Sequence, residues 1–134
     1  MVISFCCGKG GTGKTTSTYN IGAALAQAGK RVLLVDNDQQ GSLTLAMGYE
    51  PQMLSTTLAN LMFQAIDMPE QLEQSVEQTI QKTTKNLHLI PANNKLAGTL
   101  SRLVSMQNTR AMFPLNDGSI APERVLSVIV EQVK

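Results

Sequence analysis

Nine residues, GKGGTGKTT at positions 8–16, constrain this chain more than any others. Gly8, Gly13, Lys14 and Thr15 satisfy the spacing glycine, four residues, glycine, lysine, hydroxyl residue, which requires a strand before it and a helix after it. Gly10, Gly11 and Gly13 let consecutive backbone N–H groups turn inward onto phosphate oxygens, and the positive end of the following helix favours the same anion. The flanks have the needed character. Residues 2–7 (VISFCC) form a nearly all-apolar run, as expected of a strand buried on both faces of a parallel sheet. Ile21, Ala24, Leu25 and Ala28 then recur at helical spacing up to Gly29.

Within the loop each side chain has a distinct task. Lys14 is placed to neutralise the β- and γ-phosphates of a triphosphate, Thr15 to give its hydroxyl to Mg²⁺, and Thr16 to reach a phosphate from the first helical turn, with Thr12 and the glycines supplying backbone amides. Pattern alone reads Lys9 as a solvated loop lysine. A second strand is expected at residues 31–35 (RVLLV), completing a βαβ unit, and polar residues stop it at DNDQQGS, positions 36–42. Asp36 and Asp38 fall at its carboxyl end, the edge of a doubly wound sheet where ligands bind, and alternate residues of a strand point the same way. Two carboxylates beside a triphosphate imply Mg²⁺ or an attacking water. Asp38 is the better catalytic candidate, and Asp36 a candidate Mg²⁺ ligand.

The rest of the chain alternates in the same manner. Leu58, Leu61, Met62 and Ala65 mark a short helix, and Leu72, Val76 and Ile80 a second that begins near Pro69. Residues 87–90 (LHLI) read as a strand, followed by a helix carrying Leu96, Leu100, Leu103 and Val104. Residues 107–121, with Pro114 and the turn-forming NDG at 116–118, are expected to be an extended loop, and Pro122 suits the first turn of a last helix bearing Val125, Leu126, Ile129 and Val133. With 134 residues there is room for one domain, and 43% apolar against 16% charged residues excludes a disordered chain. The expected fold is a P-loop NTPase-like α/β domain, a doubly wound, mainly parallel sheet with flanking helices.

A net charge of +1 provides no global field toward nucleic acid or an anionic membrane. The acidic block Asp67, Glu70, Glu73, Glu77 and the basic series Lys82, Lys85, Lys95, Arg102, Arg110 read as solvated helix faces. No leader pattern and no apolar run of about 18 residues is visible, so a soluble, cytoplasmic protein without membrane contact is expected. Cys6 and Cys7 are adjacent and are expected to fill core space rather than pair. His88, alone in its strand, is expected to be structural rather than a metal ligand.

KGGTGKTT followed by LLVDNDQQGSLT resembles the ParA/MinD-type ATPases, whose variant phosphate loop opens with a signature lysine. The second motif of the partition (Soj/ParA) branch reads DxDPQGN. Asp36, Asp38, Gln40 and Gly41 match it, while Gln39 replaces the proline and Ser42 the asparagine. The septum-site branch, with a glycine-leucine pair after its second aspartate and a basic membrane helix, fits less well. The resemblance continues through TLANLM (57–62) and NLHLIPANNKLAG (86–98).

This resemblance implies ATP and Mg²⁺ as ligands, with Lys9, Lys14 and Asp38 as catalytic residues. Lys9 then reaches across an ATP-bound homodimer to the partner's phosphates. It further implies a ParB-like stimulating partner, and sequence-independent DNA binding and nucleoid association through segments outside this chain. Residues 1–134 would be the amino-terminal part of such an ATPase, ending before the strand that carries the Walker B aspartate. Two other expectations stand beside this one: a nucleotide- or partner-binding module without turnover, and an ATPase of the same family that positions a cargo other than DNA.

Overall fold

The computed structural model describes residues 1–6, 10–112, 121 and 124–133. Helix α1 (Lys14–Gln27) leads into strand β1 (Val32–Val35), which is followed by the short helix α2 (Ser42–Ala46) and a 3₁₀ turn at Pro51–Met53. Helix α3 (Leu58–Asp67), a 3₁₀ turn at Pro69–Gln71 and helix α4 (Leu72–Thr79) come next. Strands β2 (Gln81–Lys82) and β3 (Leu87–Ile90) then precede helices α5 (Lys95–Met112) and α6 (Val125–Glu131).

The sheet has the order β1-β3-β2, with β1 and β3 parallel and β2 antiparallel to β3. Expected to be mainly parallel, the sheet described is small and mixed, for a reason of chain length. Only residues 83–86 separate β2 from β3, far too few for a parallel crossover, so the two strands must form a hairpin. Thr84 closes it, its N–H donating to the Leu87 carbonyl at 3.0 Å and its Oγ1 accepting from the Leu87 N–H at 3.1 Å.

Alternation along β1 sends its side chains into two separate cores. Leu34 joins Leu43, Leu87 and Leu89 beneath α1 and α2. Leu33 and Val35 pack instead, with Ile90, against α3, α4, α5 and α6, where Leu58, Leu61, Leu72, Leu96 and Ile129 are fully buried. Each of these large side chains contributes about 1.5–3 kcal/mol of burial. Helices therefore cover both faces of the sheet, as a doubly wound α/β fold requires.

Two expectations at the amino terminus are overturned. Among described residues, 1–6 carry no strand, Val2 and Ile3 are 76% and 50% exposed, and Cys6 is exposed rather than core-filling. An apolar run becomes a strand only when its backbone finds a ladder partner, and residues 1–6 pair with none of the three strands. Cys7, Gly8 and Lys9 lie outside the described residues. The loop expected at 107–121 begins later than its composition suggests, because α5 runs on to Met112. Ser101, Ser105 and Thr109 each turn a hydroxyl back to the carbonyl four residues earlier, which absorbs their polarity within the helix. The turn signals at Pro114 and 116–118, and Pro122, lie outside the described residues. His88 sits half-buried on the central strand β3, and no cluster of three or more potential His, Cys, Asp or Glu ligands occurs among the described residues.

Candidate functional site

The site is built where α1 begins. Gly13 caps the helix at φ +80°, a left-handed conformation that L side chains rarely adopt, and no side chain caps the first turn. With no acidic residue in that turn to neutralise it, the helix start keeps the positive character of its dipole. Residues Gly10, Gly11, Thr12, Gly13, Lys14, Thr15 and Thr16 line a cavity of about 450 Å³ together with Asp38, Gln40 and Ser42. The volume is that of a small-molecule site. Both motifs, 20 residues apart and more, thus meet on one concave surface.

The second motif reaches the cavity through a series of turns. Asp38 Oδ1 accepts from the Gln40 N–H at 3.0 Å, and the Gly41 N–H donates to the Asp38 carbonyl at 2.9 Å, so Asp38 and Gln40 are held on the same side of the bend. Gly41, at φ +62°, then starts α2. Gln40 and Ser42 stand in the motif without a chemical role that sequence assigns them, yet both line the cavity. The signal that finds them is the turn-forming Gly41 beside them.

Asp36 is placed differently. Only 3% exposed, it does not line the cavity. Its Oδ2 accepts from the Thr44 N–H at 2.9 Å and the Thr44 hydroxyl at 2.8 Å, and its Oδ1 from the Asp38 N–H at 3.2 Å. Burial raises its pKa above the ordinary carboxylate value, a push that these hydrogen bonds oppose and the nearby Asp38 charge reinforces. The two aspartates expected to act side by side are therefore separated, one in the cavity wall and one in the interior.

The donor set fits Mg²⁺ and a polyphosphate. Mg²⁺ takes oxygen ligands and keeps several waters, so one threonine hydroxyl and a nearby carboxylate suffice on the protein side, with phosphate oxygens completing the shell. A larger concavity of about 530 Å³, between α3 and α5, is lined by Phe63, Asn94, Lys95, Gly98, Thr99 and Arg102 and contains none of the motif residues. Chemistry rather than size makes the first cavity the candidate site.

Comparison with known proteins accords with this geometry. A family model described as AAA domain matches residues 1–123. The sporulation initiation inhibitor protein Soj of Bacillus subtilis (strain 168) is 38% identical over 103 residues, covering 77% of this chain and 38% of Soj. The chromosome partitioning protein ParA of Caulobacter vibrioides is 33% identical over 116 residues, covering 87% of this chain and 40% of ParA. Among solved structures, cobyrinic acid a,c-diamide synthase from Mycobacterium smegmatis with bound ATP analog and magnesium is similar at a TM-score of 0.73 and 29% identity, covering 96% of this chain and 44% of the synthase. The chain spans 36% to 40% of the length of the first curated relatives it matches.

Proposed function

The chain belongs to the AAA-domain family of ParA/MinD-type P-loop ATPases, and from that premise we propose that it forms the nucleotide-binding part of a partitioning or positioning ATPase that acts on Mg²⁺-ATP. The observation that carries the reading is the shared cavity, in which the phosphate loop and Asp38 line one wall.

In the proposed reaction, water attacks the γ-phosphorus of ATP, the bond to the bridging oxygen breaks, and ADP leaves with phosphate. Lys14 and the amides of residues 10–16 bind the phosphates and stabilise the charge that spreads over the transferred group. Asp38 accepts a hydrogen bond from the attacking water and orients it. Thr15 would hold Mg²⁺ through its hydroxyl, and the bound ion would supply further neutralisation of the phosphate oxygens. Asp36 is assigned no catalytic contact.

Lys9, by its place in the motif, completes the charge clamp from the partner of an ATP-bound homodimer. Coupling of that dimer to a ParB-like partner and to DNA is part of the same proposal, as are a cytoplasmic location and nucleoid association. Among the described residues no helix is long and apolar enough to cross a membrane. Binding of Mg²⁺-ATP, phosphate release, and co-sedimentation of the ATP-bound protein with DNA test the proposal. ATP turnover without DNA retention would transfer the reading to another cargo, and absence of ATP binding would end it.

A further inference from the structure

Thr44 and Asp36 form a fully hydrogen-bonded polar cluster behind the cavity wall. The Thr44 hydroxyl has one proton, which it donates to Asp36 Oδ2 at 2.8 Å, while its lone pair accepts from the Ala92 N–H at 3.0 Å. Asp36 continues the sheet as well, its own N–H donating to the Ile90 carbonyl at 3.0 Å. The three residues Asp36, Thr44 and Ala92 are 3%, 0% and 0% exposed, so every one of these groups would be costly to leave without a partner. From this anchored carboxylate, Oδ1 reaches out to the Asp38 N–H at 3.2 Å.

The consequence concerns Asp38. Its N–H is held by Asp36, and its carbonyl and Oδ1 are held by the Gly41 and Gln40 N–H groups. Were Asp36 to swing out to Mg²⁺, it would abandon two bonds from Thr44 and leave a buried amide and a buried hydroxyl orphaned. Mg²⁺ accepts water readily in place of a second carboxylate, so nothing compensates that loss.

We propose that Asp36 is a positioning residue: it latches Thr44 and the Asp38 amide together, fixes the turn that carries Asp38 into the cavity, and does not ligate Mg²⁺. Its effect on turnover rests on the ATPase reading above, whereas the latch itself rests on geometry.

The test uses the full-length protein with Thr44→Val, Thr44→Ser and Asp36→Asn. In the nucleotide-free state, amide hydrogen exchange over residues 36–44 is expected to accelerate in Thr44→Val and to return to the parental rate in Thr44→Ser, with Asp36→Asn reporting the same acceleration should Thr44→Val not fold. Unchanged exchange overturns the latch. In turnover, Thr44→Val is expected to lower kcat about tenfold or more while KM for ATP stays within about twofold, because a displaced catalytic group loses rate rather than binding. The Mg²⁺ concentration for half-maximal activity is expected to be the same in Asp36→Asn as in the parent. A rise in that concentration confined to Asp36→Asn overturns the exclusion of Asp36 as a ligand. A parent that binds no ATP defeats the ATPase reading alone, since the exchange measurement still decides the latch.

Discussion

A Cβ built on Gly41 would stand 3.0 Å from the Ala92 carbonyl oxygen and 2.9 Å from Pro51 Cγ. The glycine of the second motif is thus held between the segment that follows β3 and the 3₁₀ turn after α2, in a backbone conformation, φ +62°, that side chains resist. Gly41→Ala meets both obstacles at once, and is expected to lower stability by about 1–3 kcal/mol. Chemical denaturation measures this directly. An unchanged midpoint would mean that the bend relaxes without cost.

Lys14 and Asp38 share the cavity but are assigned opposite shares of binding and rate. Lys14→Ala is expected to weaken Mg²⁺-ATP binding about a hundredfold, through loss of the charge at the phosphates, and Asp38→Ala to leave binding within a few fold while turnover falls about 10²–10³-fold. Equilibrium titration with a fluorescent ATP analogue, alongside phosphate release, separates the two. Equal loss of binding in both variants would remove Asp38 from the water-orienting role.

How far this site could be foreseen depends on whether its geometry is local. The loop at residues 10–16 is legible because its glycine spacing and the start of α1 are encoded within a few neighbouring residues. That Asp38 lines the cavity while Asp36 is buried has a definable reason. Alternation holds inside a strand, but β1 ends at Val35, and residues 36–38 already belong to a turn closed by the Asp36 side chain itself. Thr44 closes the matching stretch LLVDNDQQGSLT, yet its role is not legible there, because its partners, Asp36 and the Ala92 N–H, meet it only in the folded chain. Strand pairing has the same character. The apolar run at residues 2–6 advertises burial without naming a partner, and the two-residue β2 has too few positions to show any period.

Stability should depend on pH through Asp36 in a predictable sense. Because burial raises its pKa in the folded chain above the ordinary 3.8, the folded state holds that proton more tightly than the unfolded one. The favourable contribution is therefore fully present below pH 3.8 and is lost as pH rises through the raised value, after which it is flat. Urea midpoints of the parent, set against those of the non-titrating Asp36→Asn, are expected to fall progressively over that window. A difference that widens in the parent's favour as pH rises would show that the hydrogen bonds from Thr44 and Asp38 outweigh burial.

Arg102 joins α5 to α3 by two contacts of different physical kind. Its guanidinium forms a forked pair with Asp67, at 2.8 and 2.9 Å, and its central carbon lies 4.4 Å from the centre of the Phe63 ring. The ion-paired side chains are 40% and 28% exposed, so solvent screens the charge pair, and Arg102→Lys is expected to cost only about 0.5–1 kcal/mol. Salt divides that sum. At about 1 M salt the Debye length falls to about 3 Å, and the Asp67 share should largely vanish while the ring contact persists. In a double-mutant cycle of Arg102→Met with Asp67→Asn, the coupling energy is accordingly expected to shrink as salt rises. A coupling that stays constant would assign the pair's contribution to the geometry of its forked hydrogen bonds rather than to its charge.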